Sequence, residues 1–538
     1  MMMFAPTRNR CTTMHAPMSQ RAARRGSVVV VVVWAVAVAA VLVSATQIVT
    51  FRQAVVGRET LARVQARWAA RAGMEQMVAI MEFHLQNADP DDPMAVVRDM
   101  EEHATGTTAT GSWDIRHFLD GLEWAGPLDE GAKLNINVAT SMQLTNIPNM
   151  TPDVVDAIID WRDADDNVQG LGAESDYYAN RTLGYKPRNG NFRSFAELEL
   201  VAGAWPLYVR GEDWNLNGRL DPNENDGNKS FPNDKPDGKL DGGWSKFLTA
   251  TSVQSPMSLS GENKLPLKGA DSESLTKRLG IDADQAKALA AYGNQPNAKP
   301  EALIATPLSQ LASGGTGGTG GTGSTGSGSS SGTGGKSGGT GARTGGTSSG
   351  GTSGSASASG ASSGGRGSTG SSGSGSGSSG SSSAAGGGSS GRSSSGRSSG
   401  GTGGTSAVAD LTSQQLRAVL RETTADDFAK PVPGRMNINT VPDSVLKEVL
   451  EMDPRVADAI IARRRSKPEG ITSLADLSDM SGINPTVLTQ LATQFDVTSS
   501  VYTVTSRGRA ATTGAEVEIE AVVDKSQLPA KIISYREQ

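Results

Sequence analysis

The most constraining feature of the sequence is an uncharged apolar stretch near its amino terminus. No charged residue occurs between Arg25 and Arg52, and the run from Val28 to Val43 is almost entirely apolar. A helix of ~20 mostly apolar residues spans the hydrocarbon core of a bilayer, and backbone groups in hydrocarbon must satisfy their own hydrogen bonds. The sequence therefore predicts one transmembrane helix over residues 27–51, despite the weak helix propensity of valine.

Two positions of cleavage fit the start of this helix. In an ordinary secretory signal peptide, a peptidase would cut near the small residues 43–45 and release a soluble chain. In the second arrangement, Gly26 would end a leader of residues 1–26, and Ser27 would begin a mature chain that keeps the apolar helix. Glycine lets a protease approach the backbone closely. We therefore expect processing between Gly26 and Ser27.

Charge and cysteine content exclude several classes of function. The 538-residue chain has a formal net charge of −6, and the leader holds five Arg and no acid, so a chain that starts at Ser27 would carry −11. An acidic chain is not expected to have nucleic acid as its main partner. The single cysteine, Cys11, lies in the leader. The mature chain would therefore lack disulfides and cysteine metal sites.

A long helix is predicted to continue beyond the membrane. Residues 52–88 contain no proline, and apolar residues recur there at helical spacing. The residues of this stripe are Leu61, Val64, Trp68, Met74, Met77, Val78, Met81 and Leu85. Asp89-Pro90 would end the helix. We expect an amphipathic stem whose apolar stripe contacts the protein's own sheet.

Short alternating strands are predicted at both ends of the remaining chain. Apolar and polar residues alternate from Trp113 to Leu119, and residues 501–535 contain three further alternating segments. Residues 112–137 are too few to bury the stripe of the stem helix, and the strands of residues 501–535 have no other partner. We therefore predict an α+β fold in which the transmembrane and stem helix packs on an antiparallel sheet with strands from both ends. A large, mainly helical insertion would lie between these strands.

An internal repeat occupies the predicted insertion. Lys133–Asn137 and Arg435–Asn439 both read basic-apolar-Asn-Ile-Asn, 302 residues apart, and Asp156–Ile159 matches Asp458–Ile461 at the same offset. The match resumes later at an offset of 279, so the first copy holds a 23-residue insertion. We interpret both copies as helix-hairpin-helix repeats with proline at the start of the second helix. A weaker third copy is suspected from Leu275 onwards.

Helix-hairpin-helix units can bind DNA when the N–H groups of a glycine-rich hairpin contact phosphate. The hairpins here, residues 149–152 and 451–454, contain no glycine, and each has a proline that lacks an N–H donor. Glu451 and Asp453 would repel phosphate. A protein-packing module is favoured, and a membrane-tethered DNA receptor of a DNA-uptake system is the alternative. Arg463–Arg465 is the one feature that favours DNA, although we expect a solvated helix end there.

The sharpest local pattern is a calcium-binding loop in the insertion 205–250. Residues 213–224 meet every position of the EF-hand loop, with Gly218 at the sharp turn. The predicted ligands are the side chains of Asp213, Asn215, Asn217, Asp221 and Glu224, and the carbonyl of Arg219. The alternative is a metal-free loop of Asx turns. No apolar helix follows Glu224, so the calcium would be structural and not part of a switch.

Two further groups of acids are weaker candidates. They are a second loop with Asp234, Asp237 and Asp241, and a cluster at a predicted helix end with Asp160, Asp163, Asp165 and Asp166. Acids are unfavourable at a helix carboxyl end because of the helix dipole. A solvated helix end is therefore the default interpretation of the cluster, and a cation site is the alternative.

The remaining sequence gives the domain organisation. Residues 313–406 are almost all Gly, Ser and Thr, and such a composition predicts a disordered linker. We find no nucleophile elbow, phosphate loop or carboxylate pair at catalytic spacing, so we do not expect an enzyme. The predicted domains are the leader (1–26), transmembrane helix (27–51), stem helix (52–88), first strands (89–132), helix-hairpin-helix module 1 (133–204), calcium-loop insertion (205–250), helical segment (251–312), linker (313–406), helix-hairpin-helix module 2 (407–498) and last strands (499–538).

Taken together, these features resemble general secretion pathway protein K, the large minor pseudopilin of type II secretion systems. The resemblance covers nearly all of the chain except the Gly/Ser-rich stretch. It rests on Arg25-Gly26 before the apolar helix, residues 131–137, Asp160–Asp165, Gly172–Glu174 with Tyr177-Tyr178, Glu197-Leu198, and residues 532–536. Most pilin-like proteins have Glu at the fifth mature residue, where this chain has Val31. The K-type subunit is the pseudopilin that lacks this Glu.

The resemblance implies a location, a set of partners and a role. The sheet would be pilin-like, and a prepilin peptidase would cut and methylate the chain at Ser27. The protein would be a single-pass inner-membrane protein with its carboxyl-terminal domain in the periplasm. It would assemble at the tip of the pseudopilus with I- and J-type minor pseudopilins and the major pseudopilin, and take part in protein export across the outer membrane. Calcium in pseudopilin globular domains is also known in the family.

Overall fold

The computed structural model describes residues 20–312 and 408–538, which belong to one compact unit. The predicted linker and most of the predicted leader lie outside the described residues. The helices are α1 Gln20–Gln86, α2 Ala95–Glu102, α3 Ser141–Thr145, α4 Pro152–Arg162, α5 Ser175–Ala179, α6 Pro206–Arg210, α7 Ser272–Leu279, α8 Ala283–Gly293, α9 Ala302–Ala305, α10 Leu308–Ala312, α11 Ser413–Glu422, α12 Pro454–Arg465 and α13 Pro485–Gln494. The strands are β1 Thr105–Thr107, β2 Gly111–Leu119, β3 Leu122–Ala125, β4 Leu128–Asp129, β5 Leu134–Asn135, β6 Leu248–Thr249, β7 Leu265–Pro266, β8 Thr423–Thr424, β9 Met436–Asn437, β10 Phe495–Asp496, β11 Val501–Ala510, β12 Glu516–Asp524 and β13 Lys531–Glu537.

Helix α1 is continuous from the predicted transmembrane segment into the stem, and it ends just before Asp89-Pro90, as predicted. Its apolar first half is exposed from Val28 onwards. Among the described residues, α1 is the one helix that is long and apolar enough to cross a membrane by length and composition. The described part of the chain thus holds one candidate membrane span, near its amino terminus.

One antiparallel sheet receives strands from both ends of the chain, which confirms the predicted topology. Its central path runs β1-β2-β11-β12-β13, with β3 paired to β2 and β4 paired to β11. Ile115 on β2 lies opposite Ser506 on β11. The sheet and α1 enclose a core in which Met74, Met77 and Val504 are buried.

The predicted apolar stripe of the stem is correct only in its second half. Met74, Met77, Met81 and Leu85 are buried against the sheet, whereas Leu61, Val64 and Trp68 point outwards, with Trp68 60% exposed. The reason is a close approach of helix and strand at Gly508. A Cβ atom on Gly508 would lie 2.0 Å from the Ala66 carbonyl oxygen. Only small side chains fit on the helix face at this level, and they are Ala62, Ala66, Ala69 and Ala70.

The two repeat copies pack on each other around one hydrophobic core. Ile158 and Leu198 of the first copy and Ile460 and Leu477 of the second belong to the same buried cluster. Each copy is closed by a short parallel ladder, β5 with β6 in the first and β9 with β10 in the second. In each copy a short helical turn precedes the longer helix, α4 or α12. Whether these units are helix-hairpin-helix motifs stays a prediction.

Of the three arginines at the end of α12, Arg463 and Arg465 are exposed as expected of a solvated helix end, whereas Arg464 is not. The Arg464 guanidinium is largely buried and donates hydrogen bonds to the carbonyl oxygens of Ile438 and Val441. Arg162 of the first copy donates to the equivalent carbonyls of Ile136 and Ala139. Arginine is required there because its fork of donors can reach two carbonyl groups at once.

Residues 265–312 form a third, smaller core with α11. Leu275 and Leu279 of α7 and Leu289 of α8 are buried in one cluster with Val419 of α11. Gly280, between α7 and α8, has a positive φ of 64° that favours glycine. The core of the segment 251–312 thus extends across the predicted boundary into residues that we assigned to module 2.

Candidate metal centre

The predicted calcium loop lies between the helical insertion and the sheet. It follows α6 and ends in a single helical turn at Pro222–Glu224. The Phe118 N–H on β2 donates to the Gly218 carbonyl at 2.7 Å, and the Thr505 hydroxyl on β11 donates to the Asn217 carbonyl at 2.9 Å. The loop is therefore anchored on two neighbouring strands.

Backbone hydrogen bonds orient the acids at the two ends of this loop. Asp213 accepts the N–H groups of Asn217 and Gly218, both at 3.0 Å. Glu224 accepts the N–H groups of Trp214 and Asp221, both at 3.1 Å. Asp213 and Glu224 are almost completely buried. The first and last predicted ligands are thus both held by backbone N–H groups of the loop itself.

The loop concentrates negative charge away from water. Burial raises the pKa of Asp213 to about 6. Burial also raises the pKa of Glu224 to about 8, and the negative charges of Asp213 and Asp221 add to this shift. The side-chain amides of Asn215 and Asn217 both donate to Asp221 Oδ2, at 2.9 and 3.0 Å. A bound cation would stabilise the ionised form of these acids.

The residues present fit calcium. Three carboxylates, two side-chain amides and one backbone carbonyl are the hard oxygen donors that this ion prefers. Asp213, Asn215, Asn217, Asp221 and Glu224 would hold it through side chains, and Arg219 through its carbonyl. Asp221 is at position nine of the loop, which in an EF-hand often binds the ion through a water molecule. In the part of the chain that the structure describes, carboxylate oxygens of Asp213, Asp221 and Glu224 do not all lie within 4.8 Å of one another.

Three contacts to this loop have no local signal in the sequence. Asn217 donates to Glu518 on β12 at 2.7 Å, and Arg507 on β11 donates to Asp221 at 2.6 Å. Arg219 forms an ion pair with Asp114 on β2 at 2.9 Å. These partners lie hundreds of residues away or on another element, so spacing patterns cannot find them.

The second predicted loop is held by a residue that the sequence analysis did not single out. Glu212 accepts the N–H groups of Lys235 and Asp241, at 2.9 and 3.2 Å. Asp234 accepts the N–H groups of Asp226 and Gly227. Asp237 and Asp241 are exposed. Asp234 therefore fixes the backbone, and metal binding at Asp234, Asp237 and Asp241 stays a prediction.

In the acid cluster after α4, Asp165 and Asp166 are exposed, as our default interpretation of a solvated helix end expects, whereas Asp160 is not. Asp160 is 0% exposed and Glu174, which follows in the next loop, is 3% exposed. The chain after α4 folds back over the helix end, where the Gln169 N–H donates to Asp160 at 3.1 Å. Burial and the negative charges of Asp160 and Asp163 raise the pKa of Glu174 to about 7.

The predicted processing site falls at the beginning of α1. Gly26 and Ser27 lie within the helical backbone. The Ser27 side chain is outside the described part of the chain. Cleavage between them stays a prediction.

These features define a class of protein: an α+β chain whose amino-terminal apolar helix packs on an antiparallel sheet that carries a large helical insertion. Residues 133–210 match the profile of the family described as type II secretion system (T2SS), protein K. This segment runs from the start of the first repeat copy to the end of α6. For these residues, the match agrees with the family that the sequence motifs predicted.

Among solved structures, the chain is similar to one described as the crystal structure of the GspK-GspI-GspJ complex from the type 2 secretion system of enterotoxigenic Escherichia coli. The two chains share 10% sequence identity, with a TM-score of 0.36. The alignment covers 90% of this chain and 99% of the other. The comparison with curated proteins found no match.

Proposed function

We propose that the protein is a minor pseudopilin of a type II secretion system that assembles at the tip of the periplasmic pseudopilus. There it takes part in protein export across the outer membrane. The observation that carries this proposal is the family match of residues 133–210, in a chain where the one candidate membrane helix of the described residues continues into a sheet-bound stem. Its role is structural, and no catalytic function is proposed.

The proposed location follows from the same helix. The apolar segment anchors the protein in the inner membrane, and the sheet with its helical insertion lies in the periplasm. A prepilin peptidase removes the leader after Gly26 and methylates Ser27. Edman sequencing or mass spectrometry of membrane-extracted protein tests this step. A chain that begins at Thr46 would contradict it, because ordinary signal peptidase would then release a soluble product.

The proposed partners are the I- and J-type minor pseudopilins and the major pseudopilin. Support comes from the outward-facing half of the stem stripe, Leu61, Val64 and Trp68, which is exposed next to the membrane-spanning segment. Exposed apolar side chains on a helix favour packing against another helix. Trp68→Ser should weaken co-purification of the full chain with these pseudopilins. The matched control is Trp124→Ser, which removes an exposed tryptophan from β3.

Position 31 supports a place at the end of the filament. In pilin-like filaments the fifth-residue Glu is thought to meet the terminal amine of a neighbouring subunit, and an unpaired carboxylate among apolar helices is costly. A subunit at the tip lacks one neighbour, and Val31 avoids that cost. The alternative is that Val31 faces lipid and has no role in assembly. Val31→Glu should leave assembly unchanged or reduce it in a tip subunit, and increase incorporation in a shaft subunit.

The decisive experiment is localisation on filaments. Purified pseudopili labelled with an antibody against the helical insertion should carry the label at one end. Deletion of the gene should also abolish secretion of the system's substrates. Labels spaced along the filaments, or secretion that continues without the protein, would overturn the proposal.

We also propose that the loop 213–224 binds one structural calcium ion, which fixes the helical insertion to the sheet. The DNA-receptor alternative receives no support from the second module. Its buried Arg464 is bonded to backbone carbonyls and paired with Asp443, and Arg465 also pairs with Asp443. These guanidinium groups are therefore engaged within the protein. A gel-retardation assay at two salt concentrations distinguishes the two functions, because phosphate binding weakens steeply with salt.

A further inference from the structure

The two repeat copies share one local structure near their carboxyl ends. Gly203 and Gly482 have positive φ angles of 77° and 91°, and a Cβ atom on either would lie next to a valine of the longer helix, α4 or α12. Three residues later, each copy has a proline at the start of a helix, Pro206 in α6 and Pro485 in α13. The offset of 279 residues therefore relates the two copies position by position in this region.

Large apolar side chains are exposed on the first copy at places where the second copy has polar ones. The exposed apolar residues are Leu200, Trp205 and Leu207. Their counterparts in the second copy are Asp479, Asn484 and Thr486, which are also exposed. The same scaffold thus folds with polar residues at these positions. Its stability therefore does not explain why the first copy exposes a tryptophan to 67%.

The loop that the first copy gains by its insertion adds a further leucine to this surface. Leu183 is 90% exposed. It lies two residues before Tyr185, whose hydroxyl donates to the Leu200 carbonyl at 2.7 Å. The Ala202 N–H donates to the Tyr178 hydroxyl at 3.2 Å, which ties the same two segments together. We define the Trp205 surface as Leu183, Leu200, Trp205 and Leu207.

The charge around the Trp205 surface is positive, although the chain as a whole is acidic. Residues 177–210 hold five basic residues and two acids. Both acids are paired within the segment, Glu197 with Arg188 and Glu199 with Arg210. The other three basic residues are exposed and form no ion pair in the part of the chain that the structure describes. They are Arg181, Lys186 and Arg193.

This combination of residues fits a protein partner better than a lipid surface. Tryptophan, tyrosine and arginine are enriched where protein interfaces gain most of their binding energy. Tyr208, half-exposed beside the surface, stacks on the buried Trp244 with ring centroids 5.8 Å apart, so this aromatic part is rigid. Interfacial membrane binding uses one amphipathic helix with a continuous apolar face. Here the apolar residues come from a loop, a helical turn at Phe195–Leu200 and the five-residue helix α6.

We propose that the Trp205 surface is the docking site for an acidic segment of another protein, in which carboxylates flank large apolar side chains. The apolar side chains cover the four exposed residues and supply most of the affinity, and the carboxylates pair with the three unpaired cations. Opposite charges also speed the encounter and select the partner. The surface lies on the helical insertion and is distinct from the outward-facing stem stripe. This inference therefore goes beyond the proposed function and does not depend on it.

The test uses the full chain in nanodiscs of neutral lipid and a library of random peptides displayed on phage. The library is first depleted on a variant that carries the residues of the second copy, Leu200→Asp, Trp205→Asn and Leu207→Thr, and is then selected on the wild type. Selected peptides should be rich in Asp, Glu and large apolar residues. The tightest of them, synthesised with a fluorescent label, should bind the triple variant roughly 100-fold more weakly than the wild type. The triple variant should keep the wild-type melting temperature, because the second copy folds with these residues.

Two further variants separate the apolar from the charged contribution. Met142→Thr removes a 70% exposed methionine from α3 of the same copy and should leave binding of the labelled peptide unchanged. Arg181→Gln combined with Lys186→Gln should weaken binding about tenfold and reduce its dependence on salt, because exposed ion pairs are screened by salt.

Three results would overturn the proposal. One is a selection that yields no peptide whose binding depends on the three substituted residues. Another is enrichment of basic peptides. The third is flotation of the wild type, but not of the triple variant, with phosphatidylglycerol vesicles, which would assign the surface to lipid. Co-purification with the other pseudopilins should be equal in the triple variant and the wild type, and a loss there would place the surface in the assembly interface instead.

Discussion

Asn137 and Asn439 occupy equivalent places in the two repeat copies and make the same set of hydrogen bonds. Asn137 accepts the Phe192 N–H at 2.7 Å and donates to the carbonyls of Phe192 and Ala250. Asn439 accepts the Ile471 N–H at 2.8 Å and donates to the carbonyls of Ile471 and Val497. Each asparagine ties the start of its copy to a loop in the middle and to the residue after the closing strand.

Removal of either asparagine should destabilise the protein. In Asn439→Ala, two buried carbonyls and one N–H lose their partner, which should cost about 3 kcal/mol in the free energy of unfolding. Asn439→Asp should also destabilise, because the new carboxylate would face two carbonyl oxygens. Urea denaturation of the full chain in detergent measures both effects. The exposed Asn180, which bonds only within its own helical turn, supplies the control Asn180→Ala.

The contact between the stem helix and the sheet should not tolerate a methyl group at Gly508. A Cβ there would lie 2.0 Å from the Ala66 carbonyl oxygen and 2.3 Å from the Ala70 nitrogen, and both are backbone atoms. Gly508→Ala should therefore cost about 3 kcal/mol through overpacking. Gly57 lies on the stem helix α1, and a Cβ atom added there would meet no atom within 4 Å. Gly57→Ala should therefore be neutral, or stabilise the protein by about 1 kcal/mol because alanine favours helix. Equal melting temperatures for the two variants would disprove this view of the contact.

Calcium should stabilise the protein through the loop 213–224. In the wild type, calcium at about 100 times its Kd should add about 2.7 kcal/mol to the free energy of unfolding. Adding Glu224→Gln should remove most of this response, because the last predicted ligand loses its charge. Differential scanning calorimetry with and without chelator measures it. A full response to calcium in the Glu224 variant would mean that the ion binds elsewhere, and Asp241→Asn would then test the second loop.

His117 should make stability fall in mild acid. Burial lowers the pKa of this histidine to about 4, whereas the unfolded chain has a value of ~6.5. Between these values the unfolded state binds a proton that the folded state does not. The contribution of His117 to the free energy of unfolding is therefore complete above pH 6.5 and is lost progressively as the pH falls towards 4. The difference between the wild type and His117→Gln, measured from pH 7.5 to 4.5, isolates this group from the raised carboxyl pKa values elsewhere.

Local sequence signals predicted the helices and strands of the fold, but they could not predict its long-range contacts. Asp89-Pro90 predicted the end of α1, and the alternation from Trp113 to Leu119 predicted β2. Helical periodicity could not tell which residues of the stripe face the sheet. The close approach at Gly508, more than 400 residues later, turns Trp68 outwards.

At the candidate sites, too, local patterns could be predicted from the sequence and long-range contacts could not. The spacing of residues 213–224 predicts a calcium loop because an EF-hand pattern is local, and calcium binding there stays a prediction. The link from Asn217 to Glu518 depends on tertiary structure and leaves no pattern in the sequence. Asp160 was expected to be solvated because helix ends usually are. Its burial depends on the return of the following loop, which periodicity and capping rules do not describe.

The pairing of β2 with β11 has a consequence for how the chain matures. Ser112 on β2 lies opposite Arg509 on β11, so one half of the ladder is synthesised long before the other. During vectorial synthesis, the stem helix and β2 emerge first and must wait for the last strands before their apolar core can close. Contacts so distant in sequence form slowly, and unpaired strand edges are prone to aggregate in the interval.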